Sequence, residues 1–220
     1  MAQYFTVHPD NPQPRLMSQA AEILRAGGVV AYPTDSSYAL GCQLGDLDAA
    51  ARIRRIRGLG GRHFLTLACV DLANAARFVR LANWQFRIVR QGIPGPFTFL
   101  LPASREVPRR LLTDRRHTVG IRVPHHPVVR ALLAELREPI LSSTLILPGD
   151  ETPLDDPRDI GDRLERAIEL VIDAGPCAGA PTTVIDLTGD RAALVRLGGG
   201  DPALLGLDFA AAGGAGTGPS

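Results

Sequence analysis

The stretch Val29-Val30-Ala31-Tyr32-Pro33-Thr34-Asp35-Ser36-Ser37-Tyr38-Ala39-Leu40-Gly41-Cys42 carries the reading of this chain. Val29 to Tyr32 are apolar and end at Pro33. Proline holds the residue before it extended and offers no ladder N–H, so this segment predicts a short buried strand that stops there. The residues that follow, Thr34, Asp35, Ser36 and Ser37, bring hydroxyls and one carboxylate together. Two readings are open. Such residues bond their own backbone and make turns between strands. Loops at strand ends are also where α/β proteins hold ligands. Spacing alone favours the turn.

Working outward, elements alternate. Pro14 to Ala26 carries Leu16, Ala20, Ile23 and Leu24 at helical spacing, and Gly27-Gly28 stops it. A second helix is predicted over Leu47–Ile56 with Asp46 as its N-cap. Phe64–Val70 reads as a buried strand, followed by helices around Leu72–Val79 and Trp84–Arg90. Phe97–Leu101, Val119–Val123, Ile140–Leu147 and Val184–Leu187 read as strands, with Leu170–Asp173 and Leu194–Leu197 as shorter candidates. Helices at Pro127–Leu136 and Ile160–Ile168 lie between them, and the acidic run Asp155–Asp159 reads as a helix cap. Strands alternating with helices predict an α/β sheet covered by helices, and the varied connections predict a mixed one. Residues 1–208 show no composition break and are expected to form a single domain; 209–220, rich in Ala and Gly, are expected to be a loose tail.

Composition limits the chemistry. The 220 residues are 45% hydrophobic and 21% charged, with a net charge of +1, so no global field recruits nucleic acid or membrane. All 24 basic residues other than histidine are arginine. The absence of lysine excludes a Schiff base and a Walker-type phosphate lysine. Arginine's planar fork still suits phosphate and carboxylate. Cys42, Cys69 and Cys177 are scattered, which argues against disulfides or zinc, and each reads as a small buried apolar residue. The five histidines show no metal spacing. Met1 to Phe5 has no basic start leading into an apolar run, so no signal peptide is expected. No apolar run approaches bilayer length. A soluble cytoplasmic protein is the expectation.

Further constellations are weak one at a time. Arg52, Arg54, Arg55, Arg57 and Arg62, then His63, crowd one helix end. Arg54 and Arg57 share a face that suits either a triphosphate or an RNA backbone, or simply solvent and the helix dipole. Pro94-Gly95-Pro96-Phe97-Thr98 is a rigid turn feeding a strand. Arg122 interrupts the apolar strand Val119–Val123, which requires either an ion pair or a polar cavity. Ser142-Ser143-Thr144 and Pro181-Thr182-Thr183 bring hydroxyls to strands, and Arg196 precedes a triple glycine.

In order, these motifs resemble the YrdC-like superfamily over about residues 5–200. His8-Pro9-Asp10-Asn11-Pro12 and Glu106-Val107-Pro108-Arg109-Arg110-Leu111-Leu112 place the likeness on its YciO branch. The resemblance implies a twisted mixed sheet flanked by helices, with a concave basic cavity. It implies a threonylcarbamoyl-adenylate synthase-like activity, in which threonine or a related amino acid, bicarbonate and ATP with Mg²⁺ give the adenylate and pyrophosphate. That product serves tRNA threonylcarbamoyladenosine modification. It also implies, as an alternative, a double-stranded RNA-binding protein acting on rRNA or tRNA without efficient synthesis. By the same resemblance, Thr34 sits near the amino acid and Arg122 binds its carboxylate or a phosphate. Arg57, His63, Thr98, Thr144, Thr182 and Arg196 would line the nucleotide pocket. No covalent nucleophile and no particular metal ligand is implied. The YrdC branch has Lys-x-Arg with a further lysine where this chain has Arg57, Leu59 and His63, and Ser-Ala-Asn where it has Thr144-Leu145-Ile146. Those departures remove phosphate and amide contacts.

Overall fold

The computed structural model describes residues 1–60, 65–112, 117–207 and 209. His63, the start of the Phe64–Val70 strand and residues 210–220 of the expected tail therefore lie outside the described residues. In chain order the elements are β1 (Gln3–Thr6), α1 (Pro14–Arg25), β2 (Val30–Tyr32), β3 (Ala39–Gln43), α2 (Leu47–Ile56), β4 (Thr66–Ala68), α3 (Leu72–Ala76) and α4 (Asn83–Gly92). They continue with β5 (Phe97–Pro102), β6 (Thr118–Arg122), α5 (Pro127–Leu136), β7 (Ile140–Thr144), α6 (Pro157–Leu164), β8 (Leu170–Asp173), β9 (Thr183–Asp186) and β10 (Ala193–Arg196).

The strands form one mixed sheet in the order β1-β8-β2-β3-β7-β4-β6-β5-β9-β10. Four pairs are parallel (β1 with β8, β2 with β8, β4 with β6, β5 with β9), and the others, such as β3 with β7 and β5 with β6, are antiparallel. The expected α/β class and mixed sheet are present.

Local signals set the helix ends. Asp46 accepts a hydrogen bond from the Ala49 N–H at 2.9 Å and starts α2 where its sequence predicts. His126 caps α5 through Nδ1, with Pro127 in the first turn. Several boundaries move, two of them for visible reasons. The helix expected at Ile160–Ile168 begins at Pro157, because Asp156 caps it through the Arg158 N–H. The strand expected to run from Ile140 to Leu147 ends at Thr144, where the Leu145 N–H turns to the Tyr38 carbonyl. Two strands were not expected, β1 and β3.

The two faces of the sheet have different covers. One buries Phe97, Phe99, Leu101, Val119, Ile121 and Ile185 in a core shared with Ala49, Ala50 and Ile53 of α2. On the other, α1 and α5 pack together and bury Met17, Leu24, Leu132 and Leu133 against Val30, Tyr32, Leu170 and Ile172. Each such side chain contributes roughly 1.5–3 kcal/mol of apolar burial. The period-two alternation of the strands sends Thr98, Arg122 and Val184 to the side opposite that first core. There a cavity opens.

Candidate functional site

The cavity has a volume of about 490 Å³ and draws residues from β2 through β10. That size lies within the range of small-molecule sites. Thr34, Arg57, Thr98, Arg122, Thr144, Thr182 and Arg196 all line it. Every candidate named from sequence, apart from the undescribed His63, is thus brought to one place from positions scattered along the chain. Three arginines and no carboxylate stand among the lining residues.

At one end is the Thr34–Ser37 turn. The Thr34 hydroxyl donates to the Ser37 carbonyl at 2.7 Å and accepts from the Ser36 and Ser37 N–H groups. The local-turn reading of this segment is correct, and the turn also lines the cavity. Arg122, the last residue of β6, reaches it: NH2 donates to Asp35 Oδ1 at 2.5 Å and lies 3.3 Å from Thr34 Oγ1. A charge in an apolar strand required a partner or a cavity, and Arg122 has both. Behind the turn, the Cys177 thiol donates to the Thr34 carbonyl at 2.7 Å. Cys42 and Cys69 are buried as expected; Cys177 is only half-buried, at the edge of the core beside this turn.

At the far end, Arg196 on the edge strand β10 donates through Nε and NH2 to the Thr182 carbonyl. The Thr182 and Thr98 hydroxyls meet at 2.9 Å across the β5–β9 pair. Burial lowers the Arg196 pKa, and the positive charge of Arg122 lowers it further. The two cations therefore act on one volume, which favours an anionic occupant.

Arg57 caps the C-terminal end of α2 and enters over the end of β7. Its Nε donates to Ser143 Oγ at 3.2 Å and NH1 to the Ile146 carbonyl. Desolvation lowers its pKa. Arg52 is bound to the Glu169 carboxylate at 2.7 Å and to the Ala167 carbonyl. Leu59 packs against the hydrophobic core and is not among the lining residues, whereas Ile146 is.

Several lining residues had no assigned role from sequence. Ser37, Thr66, Ser142, Pro124, Val184 and Val195 join the wall, and Gly120 keeps the floor open. Thr66 carried a readable signal: in the run from Leu65 to Cys69, Leu65, Leu67 and Cys69 face the core, so Thr66 and Ala68 face the other way. Among the described residues no group of His, Cys, Asp and Glu side chains could hold a metal ion. No described helix is long and apolar enough to cross a membrane.

Comparison with known proteins agrees with this geometry. The family model for Sua5, YciO and YrdC, described as "Telomere recombination", matches residues 22–198. The chain is 51% identical over 201 residues to the "Uncharacterized protein YciO" of Escherichia coli (strain K12), covering 91% of this chain and 98% of that one. The crystal structure of E. coli YciO superposes with a TM-score of 0.90 over 93% of this chain and 100% of that one. A threonylcarbamoyl-AMP synthase of Halorhodospira halophila is 36% identical over 138 residues, 62% of this chain and 71% of that one. The crystal structure of P. abyssi Sua5 complexed with L-threonine has a TM-score of 0.81 at 27% identity, covering 89% of this chain but only 57% of that protein. The sheet, the cavity motifs in their order and these relatives together place the chain in the Sua5/YciO/YrdC family, on its YciO branch.

Proposed function

We propose that the cavity holds an amino acid beside a nucleotide, and that the protein is a threonylcarbamoyl-adenylate synthase-like nucleotidyltransferase. The carrying observation is the continuity of the cavity. The Thr34 turn with Arg122 at one end and Thr98, Thr182 and Arg196 at the other line a single volume. Among relatives, a synthase sequence and a Sua5 structure containing L-threonine support the reading.

In this reaction the amine of threonine attacks the carbon of bicarbonate or carbon dioxide, and water leaves from bicarbonate. A carbamate oxygen then attacks the α-phosphorus of ATP in line. The bond to the bridging oxygen breaks and pyrophosphate carries the electron pair away. Positioning and charge stabilisation are enough for such chemistry, so no covalent nucleophile is needed. Arg122 orients the carboxylate of the amino acid. Arg57 and Arg196 face the charge that develops on the phosphates. Mg²⁺ would arrive with the triphosphate, since the described lining residues include no carboxylate to hold it. The adenylate produced would feed tRNA threonylcarbamoyladenosine formation.

One feature lowers the expected rate. Ile146 lines the cavity where the synthase branch has an amide, and a lost polar contact costs about 1–3 kcal/mol. Pyrophosphate release from ATP, measured with bicarbonate across a panel of amino acids, tests the reading, with calorimetry of ATP with and without threonine. Amino-acid-dependent release supports it. Absence of ATP binding at millimolar concentration, together with salt-sensitive binding to double-stranded RNA, would overturn it in favour of the RNA-binding alternative. That alternative would have to do without Arg52, which is committed to the Glu169 carboxylate.

A further inference from the structure

Two adjacent threonines at the start of β9 do different things. Thr182 lines the cavity, whereas Thr183 is fully buried and is not among the lining residues. Opposite them, β10 changes register. Ala193 faces Asp186 and Leu194 faces Ile185, but Arg196 faces Val184, so Val195 is an extra residue in the strand. That shift decides where Arg196 points. In an unbroken ladder Val195 would stand opposite Val184, and Arg196 opposite Thr183, on the face where Ile185 enters the core. With the bulge, Arg196 stands opposite Val184, and both line the cavity.

The bulge lies on a strand that is paired from one side, because β10 ends the sheet. The chain beyond Arg196 is fastened by Thr183. Its hydroxyl accepts from the Gly198 N–H at 2.9 Å and the Gly200 N–H at 3.1 Å, and donates to the Gly200 carbonyl at 2.5 Å. One donor and two acceptor positions are all that a hydroxyl has, so its whole capacity is spent on the Gly198–Gly200 turn. The Gly199 N–H adds a bond to the Pro181 carbonyl at 2.8 Å. Only glycine allows so close a fit: a Cβ on Gly198 would overlap the Pro181 carbonyl, and one on Gly200 would lie 2.6 Å from the Phe97 ring. Once the backbone is set in this way, Arg196 completes its own placement through the Thr182 carbonyl.

We infer that Thr183 is a positioning residue for the nucleotide end of the cavity: its hydroxyl clasps the triple-glycine turn and so keeps the bulge that turns Arg196 inward. This rests on the reading that Arg196 serves a nucleotide. Thr183 does not reach the cavity; it acts through Arg196.

Calorimetric titration of the full chain with ATP tests it as a double-mutant cycle. Thr183→Val keeps the shape and removes the hydroxyl, and should weaken ATP binding about tenfold, on the scale of one charged hydrogen bond. Arg196→Ala should weaken it by a similar factor. The combined variant should bind no more weakly than Arg196→Ala alone, because both changes remove the same interaction. Thr183→Ser keeps the hydroxyl and should stay within about threefold of the wild type. Thermal unfolding shows which variants are folded. Should Thr183→Val not fold, Thr183→Cys, whose thiol bonds more weakly, carries the same cycle with a smaller loss. Undiminished ATP affinity in the folded variant would overturn the inference and leave the nucleotide site intact. Losses that add up in the combined variant would also overturn it, as an effect that does not pass through Arg196. If the wild type binds no ATP, this inference and the proposed function fail together.

Discussion

The hydroxyl of Tyr32 donates to Oγ of Ser142 at 2.6 Å, reaching past the strand that separates β2 from β7. The bond is possible because Gly41 on the intervening strand has no side chain. A Cβ there would lie 2.6 Å from the Tyr32 ring and overlap Ile140 as well. Burial holds the phenol neutral, with its pKa pushed up to about 12. Tyr32→Phe removes one buried hydrogen bond and should destabilise the protein by about 1 kcal/mol. Gly41→Ala should cost more, about 3 kcal/mol, because overpacking displaces a ring and a strand. Urea unfolding of both variants checks the order.

Arg57 and Ile146 permit a sharper test of the altered phosphate end. Leu59 packs into the core, so Leu59→Arg should lower stability by about 1–2 kcal/mol without bringing its charge into the cavity. Ile146 does line the cavity, and Ile146→Asn restores an amide there. The single change Ile146→Asn should therefore raise ATP affinity several-fold, and Leu59→Arg should not. Arg57→Lys, which loses the fork that spans Ser143 and the Ile146 carbonyl, should weaken ATP binding about tenfold. Titration calorimetry with ATP reads all three.

How much of this was legible in the sequence depended on whether a residue's signal was local. Asp46 as a cap and the Pro127–Leu136 helix follow from neighbours within one turn, and both appear where predicted. β1 had no such signal. Its Gln3–Thr6 side chains are mostly exposed, and it exists because its backbone pairs with β8, far along the chain. β3 is built of Ala39, Leu40, Gly41 and Cys42, small residues that resemble the end of a turn until Tyr32 is seen lying across them. For the site, a charge inside an apolar strand was enough to mark Arg122. Its partner was not readable, since Asp35 and Arg122 meet only through the sheet order. Within the arginine cluster, one partner was equally unreadable. Arg52 faces Glu169, and no local pattern announces that pair.

Gly120 gives a test of the cavity that leaves the charged groups alone. A Cβ at this position would lie 2.9 Å from Thr66 Oγ1 and 3.5 Å from both Leu100 and Thr98. Only a rotatable hydroxyl has to give way, so Gly120→Ala should change stability by no more than about 1–2 kcal/mol. The added methyl projects into the floor between Thr66 and Thr98. Ligand affinity should fall by more than tenfold, read as the loss of ATP- or threonine-induced thermal stabilisation. A full ligand response in a folded Gly120→Ala protein would mean that ligand does not use this floor.

The cysteines give the pH dependence. Burial pushes the Cys42 and Cys69 thiols from an ordinary value near 9 up to about 12, with Asp46 and Asp71 adding to the effect. In the unfolded chain they ionise from about pH 8.5 upward. Below that pH both states hold the thiol protons, and stability does not depend on these groups. Above it the unfolded state loses protons that the folded state keeps. Stability should therefore fall by about 1.4 kcal/mol per pH unit for each thiol between roughly pH 9 and 12. Tyr32, held up to about 12 by the same burial, adds to the slope above pH 10. Urea midpoints should be flat from about pH 7 to 8.5 and drop beyond. Cys177 is half-buried, and burial raises its thiol pKa. At about pH 8 a thiol reagent should thus modify at most Cys177 in the native protein, slowly, and all three cysteines in urea. Rapid native labelling of Cys42 or Cys69, identified by peptide mass, would contradict the burial assigned to them.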